Sequence, residues 1–409
     1  MTDLFHRAPG ATGPRAIRSA WAAIAALFFA NGAAFATWVS NIPDVRDALS
    51  LDEAQLGSAL FAMALGALLA FPLAGRGCRV LGAREVTMGS ALALAFLLPH
   101  PAWVGLPSSL ALSLFALGAA NGAMDVAMNA LAADLQARAG RPIMSRLHGM
   151  WSAGGLAGAG LGALAHRLDM PPAWHLLAAS GFVAATVWLA RRFLPRLVVD
   201  AAPPAPRAPV HAPRAMAGLA VIVFCAFLIE GAAADWSAVF LHHTLGQSTS
   251  VAALGYAAFS LTMTAMRLAG DAVVARLGPS RPLRACNALA AVALAAALLT
   301  GQVPLVFLAL ALVGLAVAIV APLVFAAAAQ RSPHSAGEGI ALMAGAGYGG
   351  FLLGPPCIGW LAHAIGLQAA LGLLVLLLTL IALLSHQLRQ RPHAACAADT
   401  PAGGACHQP

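Results

Sequence analysis

A chain of 409 residues could fold as two or three soluble domains, but 60% hydrophobic residues, only 9% charged ones and a mean hydropathy of +0.81 exclude a water-soluble fold. The bilayer must be the solvent for most of it, since a span takes about 20 mostly apolar residues. The net charge of +8 is spread over many short segments rather than gathered in one patch, which speaks against a nucleic-acid partner.

In lipid every backbone N–H and C=O must be satisfied within its own segment, so the predicted class is all-α. Apolar runs such as Ala288 to Leu299 lack the period-two alternation of a membrane barrel. In chain order the predicted crossings are Ile17 to Val39, Gln55 to Gly75, Glu85 to Leu98, Pro107 to Leu131, His148 to Ala165 and Trp174 to Phe193. After a break they resume as Met216 to Leu241, Val251 to Ala275, Leu283 to Gly301, Val303 to Ala327, Ile340 to Ile365 and Leu367 to Gln387. Arg7, Arg15 and Arg18 before the first run imitate a signal peptide, but the pattern recurs along the chain and argues against cleavage.

The expected organisation is a six-helix bundle over residues 1–195, a Pro-rich linker over 196–215, a second six-helix bundle over 216–388 and a tail over 389–409. Every one of the 23 basic residues is Arg, and alternate loops hold them in clusters: Arg76, Arg79 and Arg84, then Arg138, Arg141 and Arg146, then the linker. The opposite loops carry only Arg46 and Arg167. The arginine-rich side, with both termini, is therefore expected to be cytoplasmic in a bacterial inner membrane. Trp38, Trp174, Trp236 and Trp360 are expected in the aromatic belt of one interface, and Trp21, Trp151 and Trp188 in the other. The six cysteines are scattered and form no disulfide framework, and His393, Cys396, Cys406 and His407 in the tail match no zinc spacing.

The chain repeats itself across the linker. Asn31-Gly32-Ala33-Ala34 before Thr37-Trp38 is answered by Glu230-Gly231-Ala232-Ala233 before Asp235-Trp236, Leu56-Gly57 by Leu254-Gly255, Gly82 by Gly278 and Gly118 by Gly314. Parallel repeats of this kind predict two pseudo-symmetric halves with a solute site between them near the midplane. Twelve spans, the basic Pro-rich centre and the Gly/Arg loops after the second and eighth helices resemble the major facilitator superfamily over the whole chain. In the second-to-third loop Gly75, Gly82 and Arg84 fit the superfamily pattern, which implies a gating role for Arg84, while Arg79 stands where the family has an acid. Asp125-Val126-Ala127-Met128-Asn129 is similar to the fourth-helix segment of the fucose–proton symporter group and its bacterial relatives. That group's first-helix acid is absent here, where Asn31 is the nearest polar residue.

Charges inside hydrocarbon cost a few kcal/mol on insertion scales and seldom occur without a role. Asn121, Asp125 and Asn129 share one face of the fourth helix, which makes Asp125 a candidate proton-coupling residue flanked by solute-binding amides. The structural alternative is interhelical hydrogen bonding. Glu230, aligned with Asn31, is the second coupling candidate, and the two form a candidate solute clamp. Asp235, Tyr256, Ser260, Thr264 and Tyr348 complete the candidate binding set, though Ser and Thr also bond back to their own helices. Arg267, one turn before Asp271, is expected in an ion pair at an inner gate, or as a snorkelling anchor. The glycines of the fifth and eleventh helices are expected to let backbones approach closely, and Pro355 and Pro356 to bend the eleventh.

No Gly-x4-Gly-Lys loop and no Lys are present, which excludes ATP hydrolysis on this chain, and no catalytic or metal constellation points to an enzyme or a cofactor. The expected function is secondary transport of a small polar, sugar-like solute with protons, by a functional monomer. Proton-antiport export of drugs and a non-transporting sensor are the alternatives. The resemblance implies that a drug–proton antiporter would carry a Gly-Pro signature in the fifth helix, and the absence of proline there counts against that alternative.

Overall fold

The computed structural model describes residues 14–140, 143–195, 214–332 and 336–388. The linker segment Pro203 to Pro213 and the tail histidines and cysteines lie outside them. The helices are α1 (Pro14–Ala48), α2 (Glu53–Val80), α3 (Ala83–Leu97), α4 (Pro107–Ala139), α5 (Met144–Arg167) and α6 (Pro172–Ala190) in the first half. The second half holds α7 (Arg214–Val239), α8 (Thr249–Leu277), α9 (Ser280–Thr300), α10 (Val303–Val317), α11 (Val320–Arg331), α12 (Ala336–Ile365), α13 (Leu367–Ala370) and α14 (Gly372–Leu384). These fourteen helices make twelve crossings, because α10 and α11 are one span broken at Ala318 and Ile319, and α13 and α14 are one span broken at Leu371. Among the described residues nine spans are long and apolar enough to cross a membrane by composition alone, and α3, α5 and α12 supply the other three. The predicted single tenth helix is thus interrupted. The seventh continues through a π-helical turn, Phe240–Thr244. Pro355 and Pro356 sit inside α12, which remains one helical element.

Packing within the halves is itself repeated. In the first, α1 packs on α5 and α6, α2 on α4, and α3 on α4 and α6; in the second, α7 packs on α12 and α14, α8 on α10, and α9 on α10 and α14. Matching glycines make the matching crossings. A Cβ on Gly118 of α4 would lie 1.9 Å from the Met63 carbonyl oxygen of α2, and one on Gly314 of α10 would lie 2.2 Å from that of Phe259 of α8. Likewise Gly154 of α5 faces the Phe29 carbonyl at 2.0 Å and Gly350 of α12 the Phe224 carbonyl at 2.2 Å. No side chain fits at these contacts, as expected where helices associate by close backbone approach in lipid. Gly82, which caps the start of α3, and Gly278, which caps the end of α8 just before α9, both take positive φ, 97° and 72°, a conformation that L side chains avoid.

The outer surface stays apolar, with Leu69, Leu73, Phe96, Leu112, Leu299 and Leu376 exposed along the helices, as a lipid-facing perimeter requires. Trp174, Trp188 and Trp360 are exposed in keeping with aromatic belts. Trp38 and Trp236, expected there too, are only 1% and 0% exposed. They are matching core fillers on α1 and α7, and Trp151 is likewise drawn inward to the central site.

The halves meet along α5 with α8 and α2 with α12, and α1 touches both α7 and α8. Away from the centre, all polar ties between the halves among the described residues lie at the arginine-poor end. There Ser250 donates to the Ala163 carbonyl at 2.8 Å, the Trp360 indole to Ser58 at 3.3 Å, and Asp47 pairs with His242 and His243. A Cβ on Gly57 of α2 would come within 2.9 Å of the Gly359 Cα of α12 at this end. The described contacts therefore close the arginine-poor end.

Candidate functional site

The buried amide of Asn31 on α1 holds three elements together. Its Nδ2 donates to the Asn121 amide oxygen of α4 at 2.9 Å and to the Met124 sulfur at 3.4 Å, while its Oδ1 accepts from the Trp151 indole of α5 at 2.8 Å. One turn further along α4, Asp125 accepts from the Asn129 side chain at 3.0 Å, and Asn129 also donates to the Asp125 backbone carbonyl at 2.9 Å. The other oxygen of Asp125 accepts from the Tyr348 hydroxyl of α12 at 3.4 Å, a contact that crosses from one half to the other. The Tyr348 ring is set edge-on to Phe71 of α2, centroids 4.6 Å apart, and to Phe227 of α7 at 6.4 Å. The i, i+4, i+8 face of α4 is therefore occupied by paired side chains, two of them paired with other helices.

On the opposite half Glu230 accepts from the Arg267 guanidinium at 3.3 Å, a pair whose side chains are 14% and 20% exposed. The same guanidinium donates at 2.7 Å to the hydroxyl of Ser152 on α5, again across the halves. This placement differs from the inner-gate expectation for Arg267: its described contacts go to the centre, and the side chain of Asp271 lies outside the described residues. Arg84 donates to Glu85 at 3.0 Å and to the Arg191 carbonyl at 2.6 Å, so it ties the arginine-rich ends of α3 and α6 within one half.

Tyr256 and Ser260 are buried where α8 crosses α5, and their hydroxyls would lie 3.6 and 3.4 Å from a Cβ on Gly155. Phe35 of α1 packs beside both helices, its ring 5.9 Å from Trp151 and 6.3 Å from Tyr256. Thr264 donates to the Ser260 carbonyl of its own helix at 2.7 Å, the self-bonding arrangement that needs no solute. Asp235 is partly buried, a turn and a half beyond Glu230 on α7 and within electrostatic reach of Tyr256. Asn31 and Glu230, paired by the repeat, share no hydrogen bond among the described residues: the first is engaged by amide and indole, the second by a guanidinium.

Sequence reasoning missed Ser152, Trp151 and His148 of α5. Ser152 is buried against Arg267, and the His148 ring packs edge-on to Phe28 at 5.4 Å. The available signal was polar side chains four residues apart, His148 and Ser152, at the start of an otherwise small-residue span. What hid it was the abundance of glycine around them, which drew attention to backbone packing.

Two six-helix halves related by an internal repeat, with acids, amides and a guanidinium meeting between them, define a polytopic membrane protein of the secondary-transporter class. The sequence profile of the Major Facilitator Superfamily matches residues 23–229 and again residues 219–402, and the chain belongs to that family. It is 35% identical over 388 residues to an uncharacterised transporter, y4wD, of Sinorhizobium fredii (strain NBRC 101917 / NGR234), covering 92% of this chain and all of that one. It is 34% identical over 356 residues to the membrane protein MosC of Rhizobium meliloti, covering 85% of each. Among solved structures, a mutant form of the nucleoside transporter NupG superimposes with a TM-score of 0.75 at 15% identity, covering 90% of this chain and all of that one. A D-xylose–proton symporter superimposes with a TM-score of 0.69 at 15% identity, covering 90% of this chain and 97% of that one.

Proposed function

We propose that this secondary transporter moves a small polar, sugar-like solute together with protons, with Asp125 and Glu230 as the coupling groups. One observation carries the reading: each acid is joined to a contact between the halves, Asp125 through Tyr348 and Glu230 through Arg267 and Ser152. Alternating access requires contacts between halves to break and re-form. Protonating Asp125 removes the charge that strengthens the hydrogen bond from Tyr348, and protonating Glu230 removes the counter-charge that holds Arg267. Each acid can therefore convert a proton taken up into a change in the grip between halves. Amides and hydroxyls beside the aromatic faces of Phe35, Trp151 and Tyr348 suit a solute with hydroxyls on one side and C–H groups on the other. The purely apolar lining that would favour a drug exporter is not what surrounds the acids.

The test begins with a thermal-shift screen of sugars and other polar solutes, in which a ligand raises the melting temperature with its concentration. Asp125→Asn and Glu230→Gln proteins in proteoliposomes should then lose proton-driven accumulation while retaining downhill exchange. If both variants accumulate the solute like the parent and still draw protons with it, coupling lies elsewhere. We further infer that the arginine-rich end, with both termini, faces the cytoplasm. Reporter fusions at Pro206 and Thr249 should report opposite sides, and an extracytoplasmic signal at Pro206 would reverse the assignment.

A further inference from the structure

At the arginine-poor end the π-helical turn Phe240–Thr244 follows α7, and it carries two adjacent histidines. A π turn advances each residue by a smaller angle than an α turn, and such turns are frequent at functional sites. Here the result is that His242 and His243, their rings 4.7 Å apart, both aim at one carboxylate on the other half of the molecule. His242 Nε2 lies 3.5 Å from one oxygen of Asp47 of α1, and His243 Nε2 lies 3.5 Å from the other. All three ligating atoms fall within 4.8 Å of one another.

Two ligands about 2.1 Å from a tetrahedral zinc ion stand ~3.4 Å apart, close to this spacing, so little movement would bring the three groups onto one ion. The supporting hydrogen bond is also in place. His242 Nδ1 donates to the Gln247 backbone carbonyl at 2.6 Å, which leaves the Nε2 lone pair directed at the cluster, the outer-shell arrangement found behind metal-bound histidines. His243 Nε2 is buried and makes no hydrogen bond among the described residues. The neighbouring cation Arg46 is held by Glu53 at 2.7 Å and by the Leu51 carbonyl at 3.1 Å, which offsets part of its charge. Asp47 is 54% exposed, which leaves water free to complete the coordination.

We propose that Asp47, His242 and His243 form a site for a first-row divalent cation of the Zn2+ class, whose binding clasps the arginine-poor ends of the two halves together. Two imidazoles and one carboxylate select borderline metals over Mg2+ and Ca2+, which prefer oxygen ligands. Three protein ligands with an open fourth position make a site that exchanges its metal rather than a permanent structural one. Because one ligand comes from α1 and two from the end of α7, an occupied site ties one half to the other. It would hold the carrier closed at that end whatever solute it carries.

Untagged full-length protein is titrated with Zn2+, and separately with Mg2+, while its melting temperature is followed. Zn2+ should raise it in a concentration-dependent way and Mg2+ should not. Co2+ substituted at the site should show the intense visible bands of four-coordinate cobalt. Asp47→Asn, His242→Gln and His243→Gln should each weaken Zn2+ binding by ~100-fold or more, since even a lost outer-shell partner costs 10- to 100-fold. Zn2+ affinity unchanged in all three variants would place binding elsewhere, for instance on the tail histidines and cysteines, and overturn the site. An equal response to Mg2+ would reduce it to charge screening and overturn it as well. The clasp is read by spin labels at Asp169 and Thr249: Zn2+ should shift their distances toward the short population, and an unchanged distribution at saturating Zn2+ would overturn that half of the proposal.

Discussion

The two halves share a backbone plan and differ in what they bury at its centre. Around Asn31 the first half builds a neutral network in which amide, indole and thioether satisfy one another. Around Glu230 the second half builds an ion pair with a single described contact between its charges and a hydroxyl from the other half to support it. A neutral network loses one hydrogen bond at a time and is little affected by protons. An ion pair is held by charge, so a proton or a charged ligand can release it whole. The repeat thus supplies symmetric places, and the chemistry put in this pair of them makes the Asn31 network a frame and the Glu230–Arg267 pair a switch.

The largest expected effect comes from breaking the switch. Arg267→Gln leaves Glu230 without its counter-charge and should cost about 3 kcal/mol of stability, because removing one partner of a buried pair strands the other. Transport should fall to background, and the double variant Glu230→Gln with Arg267→Gln should recover most of the lost stability without recovering coupled transport. Thermal denaturation and uptake by the same proteoliposome preparations check both. A single variant as stable as the parent would show that the pair is too well hydrated to act as a switch.

Smaller effects should follow from crowding the helix crossings. Gly154→Ala and Gly118→Ala each drive a methyl into a carbonyl oxygen of the neighbouring helix and should cost ~1–3 kcal/mol. Gly155→Ala, one residue from Gly154 but facing Ser260 and Tyr256 at ordinary contact distance, should be close to neutral for folding. Melting temperatures of the three variants decide it, and equal losses would mean that the close crossings carry no special constraint. The smallest effect is expected in the frame: Asn31→Ala removes three hydrogen bonds that average roughly 0.6 kcal/mol each in membranes, a loss of ~2 kcal/mol at most. Trp151 should report it by a fluorescence change, while the solute-to-proton ratio stays the same.

Much of the fold was legible in the sequence because the signals are local. Apolar run length marked the twelve crossings, and a nearly constant offset of 196 to 199 residues across the linker marked the two halves, including Gly118 with Gly314, whose close approaches match in space. The break at Ala318 and Ile319 was not legible, since both residues are as apolar as their neighbours and hydropathy carries no mark of a helix interruption. Trp38 and Trp236 were misplaced for a related reason: tryptophan near a span end suits either a membrane interface or a core, and only the packing of neighbours chooses.

For the central residues the division is similar. Sequence alone determined that Asp125 and Glu230 lie inside long apolar helical runs, that Asn121, Asp125 and Asn129 share a face, and that arginine marks one end of the bundle. These follow from hydropathy and helical period, which depend on near neighbours in the chain. Tertiary structure decided that Tyr348 reaches Asp125 from 223 positions away, that Arg267 faces Glu230 and Ser152, and that a π turn sets two histidines against Asp47. Long side chains such as Arg choose among partners by which helices pack beside them, and that choice depends on the docking of one half on the other rather than on any stretch of sequence.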